Sequence, residues 1–386
     1  MGRISKQYKR VLMKENIFII LSTLFIVFLS WHVSYPSNIL VFGFMGLLML
    51  FYSKNPFPIK DKTLYLIVFA IFIYLFLSVI NFTLYETVSL RQMEKFIQKL
   101  AFSIVLFIFI VLFYKGREEL LFKSIEYALW IIVLLWVMQL VVFYATGEYI
   151  DLLKPFAGEH RPQRYQAYFI QSSLPIEIIR PTSIYIEPGT YAVNTLPLLI
   201  LSYLHRNKTT FLHVLVLITY FASLSLFGII IATLFIVVTF IYQFELKINK
   251  KNILIFLLFI LIFLGIQEYL YFRFITEENT GALGVRESAI GYWLALGSKD
   301  IILGLGNGNM VFTQSAIIDD SGFIFKLFFE YGFFSLLLLS FMAYISWGIA
   351  LLFLGIILIT KIHYLVYTVW FYFAALYLLK EKRLNL

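Results

Sequence analysis

Apolar runs of bilayer length recur along the whole of this sequence, and that repetition constrains the fold more than any motif does. A hydrocarbon core about 30 Å thick takes about 20 residues of helix, and backbone inside it must satisfy its own hydrogen bonds. Such runs are read at residues 17–34, 38–52, 63–80, 96–114 and 125–145. After a long polar interval they resume at 190–204, 210–226, 227–244 and 252–269, and after a second interval at 323–341, 344–359 and 362–379. The expected fold is an all-α polytopic integral membrane protein with about 12 transmembrane helices, forming a single membrane domain over residues 1–386. The divisions near Leu226–Phe227 and Met342–Ala343 fall inside nearly continuous apolar sequence.

Composition excludes the soluble alternatives. Apolar residues make up 61% of the chain and charged residues 14%, against roughly 45–50% and 25% in ordinary globular domains. A secreted scaffold, a disordered regulator and a cytosolic enzyme do not have this mixture. With Cys 0 there is no disulfide framework, thiolate metal site or cysteine nucleophile.

The net charge of +9 is not a nucleic-acid signal once its distribution is considered. Arg3, Lys6, Lys9, Arg10 and Lys14 precede the first run. If the chain alternates sides, Lys54, Lys60 and Lys62 share that side with Lys115, Arg117 and Lys123. Arg206, Lys208, Lys247, Lys250, Lys251, Lys380, Lys382 and Arg383 join them. The excess of Lys and Arg in cytoplasmic connections predicts both termini inside and an even span count. The first run is too long for a typical signal-peptide core, and no small-residue cleavage pattern follows it.

Two long polar intervals, 146–189 and 271–322, then fall on the outer face, and long loops in a compact architecture are usually functional. The first holds Lys154, His160, Arg161, Arg164 and Arg180 with Glu148, Asp151, Glu159, Glu177 and Glu187. Pro181 and Pro188 favour extended or turning backbone there, which puts Arg180 and Glu187 near the membrane surface. The second holds Arg273, Arg286 and Lys299 with Glu277, Glu278, Glu287, Asp300, Asp319 and Asp320. Arg286, Ile290, Trp293 and Leu294 have helical spacing and predict an amphipathic helix on the membrane surface. The glycine-rich Gly304–Asn309 lacks the Lys-Ser/Thr of a phosphate-binding loop, and reads as backbone able to approach a ligand closely. Asp319 or Asp320 would cap the following helix or act as a base. Lys326 and Glu330, at i and i+4, favour a face turned to water or protein rather than lipid. The five histidines have no metal-ligand spacing, and no G-x-S-x-G elbow occurs.

The run Arg180-Pro181-Thr182-Ser183-x-Tyr185-x-Glu187-Pro188-Gly189, the pair Arg286…Trp293, Ile302–Gly308 and Asp320–Gly332 together resemble the Wzy-type O-antigen and capsule polymerases. The topology likeness covers nearly the whole chain, and the motif likeness covers 179–192 and 284–332. The related O-antigen ligases usually carry a His where Asp320 stands here, which favours polymerase over ligase. Ser223–Gly228 lacks the Arg that commonly follows the family's serine-rich span.

The resemblance implies a GT-C-like membrane glycosyltransferase, multi-pass in a bacterial inner membrane. It would transfer a glycan from polyprenyl diphosphate to the terminal hydroxyl of a second lipid-linked repeat unit, needing neither cofactor nor metal. Guanidinium forks match phosphate oxygens, so Arg180 and Arg286 are expected to bind the diphosphate, with Arg161, Arg164 and Arg273 behind them. Asp320 is the first choice of general base, then Glu187 and Asp319. The implied partners are the lipid-linked donor and acceptor, membrane lipid and a chain-length regulator, not nucleic acid. The alternatives are a ligase acting on a lipid A core and, from another class, a lipid-linked oligosaccharide flippase. A transporter would show internal repeats and polar midplane residues, and no clear repeat is read between the halves.

Overall fold

In the computed structural model, the residues described are 2–31, 36–52, 61–84, 89–157, 162–165, 179–243, 291, 293–307 and 322–384. Fourteen helices are assigned among them. The first nine are α1 (Gly2–Ser30), α2 (Pro36–Tyr52), α3 (Asp61–Thr83), α4 (Leu90–Phe113), α5 (Glu118–Thr146), α6 (Lys154–Ala157), α7 (Pro188–Arg206), α8 (Phe211–Ala222) and α9 (Leu226–Gln243). The rest are α10 (Ser298–Leu303), α11 (Phe323–Tyr331), α12 (Ser335–Ile345), α13 (Ile349–Ile359) and α14 (Tyr367–Leu384). Every expected run contains helix except 252–269, which lies outside the described residues. No strand is assigned among the described residues.

Among the described residues, five stretches are long and apolar enough to cross a membrane: Met13–Ser30 of α1, then α3, α4, α5, and Phe323–Ile345 across α11 and α12. The last of these is not the continuous helix expected over 323–341. It is broken at Gly332, whose φ of 52° and ψ of −135° no helix accepts, and a single 3-10 turn, Gly332–Phe334, joins the two parts. The other two divisions also shift. Helices α8 and α9 separate at Ser223–Ser225, where Leu224 has φ 48°, and α12 and α13 separate at Ser346–Gly348.

Local chemistry sets the other ends. Ser89 caps α4 by accepting from the Gln92 amide, and Gly147 in the left-handed region closes α5. Pro188 opens α7, where its missing N–H costs nothing, and Asn207 with φ 52° ends it. Thr210 and His213 form a reciprocal capping box at the start of α8.

Helix α14 is the hub, buried on every face from Thr368 to Leu379 against α1, α4, α7 and α12. A helix apolar all round belongs inside. Helix α3 is at the rim, with Leu64, Tyr65, Val68, Phe72, Leu75, Val79 and Phe82 all exposed.

Ion pairs bring the basic connections together. Lys115 meets Glu381 at 3.6 Å and Thr63 at 2.8 Å, and Lys382 and His205 both meet Glu119. Arg206 clasps Glu126 through two nitrogens at 2.5 and 2.6 Å, and Arg383 donates to the Leu204 carbonyl. Connections that the charge pattern assigns to one side therefore meet at one end of the bundle, called here the basic end. The described parts of the polar interval after α5 are gathered at the other.

Candidate functional site

The segment 179–187 carries the sequence motif, and two buried glutamines hold it. Gln139 of α5 accepts from the Thr182 and Ser183 amides at 3.1 and 2.7 Å, and its nitrogen reaches the Ser183 carbonyl at 3.2 Å. Gln163 donates to the Ser183 and Tyr185 carbonyls at 2.7 and 2.9 Å. Its own oxygen accepts from Gln139 at 2.9 Å. Ser183, with φ 54°, donates to the Ile132 carbonyl at 2.8 Å, and Tyr185 donates to Ser30 at 2.8 Å. Tyr149 stacks on Tyr165 at 3.8 Å and its hydroxyl meets Thr182 at 3.2 Å. Burial holds the Tyr149 phenol well above the usual range, so it stays neutral. Thr182, Ser183 and Tyr185 are thus pins, buried and internally bonded.

The same pairing sets the charges of the motif at the surface. The Arg164 amide donates to the Ile186 carbonyl, and the Arg180 amide to the Tyr165 carbonyl, both at 2.7 Å. These two bonds put Arg164 and Arg180 on adjacent extended strips. Arg164 is 73% exposed and stands 3.8 Å from Glu187. Lys361, from the connection between α13 and α14, faces the other oxygen of Glu187 at 3.9 Å and lies 5.0 Å over the Phe227 ring. The long, largely exposed Arg164–Glu187 pair is worth about 0–1 kcal/mol, so phosphate oxygens can compete for that guanidinium.

A second cluster is reached along the Lys361–Tyr364 connection. Glu330, buried near the end of α11, accepts from the Tyr364 hydroxyl at 2.5 Å and from Asn307 Nδ2 at 2.9 Å. Tyr331 Oη lies 3.0 Å from Tyr364 Oη. His363 Nε2 is 3.7 Å from Glu330. The Leu365 amide donates to His363 Nδ1 at 3.0 Å, which leaves the proton on Nε2, facing the carboxylate. The Asn307 amide donates to Asn81 Oδ1 at 2.8 Å. The other end of that buried amide, Asn81 Nδ2, has no partner among the described residues.

Of the residues expected to act, Arg164, Arg180 and Glu187 come together in this region. Arg161, Arg273, Arg286, Asp319 and Asp320 lie outside the described residues, as does most of the expected amphipathic helix. Trp293 of that helix packs against Phe329. In the described part of the glycine-rich loop, residues 304–307, the backbone approaches protein. The Leu305 and Gly306 amides donate to the Phe329 and Glu330 carbonyls at 2.8 and 3.0 Å. A Cβ on Gly304, which has φ 78°, would meet the Glu330–Tyr331 peptide. These glycines close the end of α11 and so hold Glu330 in place.

Sequence spacing alone does not bring His363 or Lys361 to the site. The cue that could have found them is an intramembrane acid, Glu330, together with a Lys-x-His-Tyr run opening the last apolar stretch.

The fold and site define a helical protein with membrane-length helices and a charged cluster at the end opposite its basic one. No protein-family model, curated protein or solved structure matches the chain.

Proposed function

We propose that this chain is an O-antigen or surface-polysaccharide polymerase, a membrane glycosyltransferase that joins polyprenyl-diphosphate-linked repeat units on the outer face of a bacterial inner membrane. The observation that supports it best is the pairing of Arg164 and Arg180 on adjacent strips beside Glu187 and Lys361, at the end away from the basic connections. In this reading the basic end is cytoplasmic, both termini are inside, and about 12 spans complete a GT-C-like architecture.

The acceptor hydroxyl oxygen attacks the anomeric carbon of the donor glycan. The bond from that carbon to the diphosphate oxygen breaks, and the lipid diphosphate leaves with the electron pair. Cations already fixed in place stabilise the charge that develops on it. Arg180 and Arg164 take that role, with Arg161, Arg273 and Arg286 of the outer loops as further phosphate ligands. The hydroxyl proton goes to a carboxylate, Asp320 first, with Glu187 and Asp319 as the other choices. The residues named need no metal or cofactor for this step. The polyprenyl chains lie along the apolar flanks, and a chain-length regulator is the protein partner that such a reaction implies.

In cells that make the matching repeat unit, Arg180→Ala and Arg286→Ala are each expected to abolish long glycan chains at normal protein levels. Normal chain lengths in both variants would refute the site.

A further inference from the structure

At the basic end, a crevice of about 440 Å³ opens between α3, α12 and α14. Its walls are Leu66 and Phe69 of α3, with Tyr65 and Tyr344 at the mouth; these two tyrosines are 71% and 64% exposed. Lys380 and Glu381 form its polar end. Glu381 is already engaged, accepting from Tyr377 at 2.7 Å and facing Lys115 at 3.6 Å. Lys380 is not engaged in the same way. Its ammonium donates to the Tyr344 carbonyl at 2.6 Å and lies 4.9 Å over the Tyr344 ring, and among the described residues no carboxylate pairs with it. An ammonium has three donors, so it keeps hydrogen-bonding capacity for a ligand. The neighbouring cations differ: Lys382 and Arg206 are each spent on a carboxylate.

Beside the crevice α3 is apolar and outward-facing, with Leu64 and Val68 exposed. A ligand that suits the place has an anionic, phosphate-like head and hydrocarbon tails. We propose that the crevice is a binding site for one anionic glycerophospholipid of the leaflet at the basic end, its phosphate on Lys380 and its acyl chains along Leu66 and Phe69. The site needs only that the apolar helices lie in a bilayer, so it stands apart from the polymerase reading. Because Lys380 belongs to the hub helix and Leu66 to the rim, a bound lipid would tie the two together.

The test uses the full chain in vesicles of equal phosphatidylglycerol and phosphatidylcholine, with a benzophenone amino acid in place of Tyr65. Cross-linking is expected to favour phosphatidylglycerol, and saturating inorganic phosphate is expected not to displace it. Lys380→Gln should lower that preference about five- to tenfold, the scale of one lysine at an anionic surface, and Lys380→Arg should keep it. Equal capture of both lipids by the otherwise unaltered chain would overturn the proposal whether or not Lys380→Gln folds. So would displacement by free phosphate, or a preference unchanged in a folded Lys380→Gln.

Discussion

The side-chain amide of Gln139 grips the Ser183 peptide from both sides: its oxygen accepts from the Ser183 N–H at 2.7 Å, and its nitrogen donates to the Ser183 carbonyl at 3.2 Å. Both residues are fully buried. A helix side chain thus takes the place of a neighbouring strand for Thr182 and Ser183, since backbone polar groups away from water must be paired somehow. The first prediction follows from this. Gln139→Leu keeps the volume but strands several buried donors and acceptors, each costing about 1–3 kcal/mol. A clear drop in the thermal midpoint of the solubilised protein is expected, with loss of activity. An unchanged midpoint would show that the segment is held by something else.

The break after α11 gives the second prediction. Gly332 has φ 52°, and a Cβ there would meet the Ile301 and Ile302 carbonyls. Gly332→Ala is expected to cost at least about 2–3 kcal/mol from strain and clash together, read as a lower midpoint. Gly355, in the middle of α13, has open space around it. Gly355→Ala is expected to be neutral or to stabilise by about 0.5–1 kcal/mol. Equal effects at the two positions would contradict the backbone assignment at Gly332.

The helical layout is legible in the sequence because apolar run length is a local property and the membrane scale is fixed. Three of the basic connections share one end, as their charge suggests, since Lys115, Arg206 and Lys382 meet there. The breaks are harder to read. Gly332 falls inside a run of spanning length, and the close approach of the Ile301–Ile302 backbone explains the break there. For the site, Arg180 and Glu187 stand out as polar residues in a motif, and Arg164 as a charge of the same outer interval. Gln139 does not, because a mid-helix glutamine carries no sign that its partner is a loop in a later part of the chain. Nor do His363 and Lys361, which gain meaning only from Glu330 and Glu187 across the fold. Glu330 itself is read correctly as turned away from lipid, and it proves to be only 5% exposed.

The central claim is that the Arg164–Arg180–Glu187 cluster serves glycosyl transfer between lipid-linked units. Its most direct test is the purified protein in lipid vesicles, given a matching polyprenyl-diphosphate repeat unit with no nucleotide sugar and no added metal. The account predicts a ladder of longer lipid-linked glycans, lost when Arg164 and Arg180 are both replaced by alanine in a protein that still folds. Unextended substrate across several lipids, or an undiminished ladder from the double variant, would contradict it.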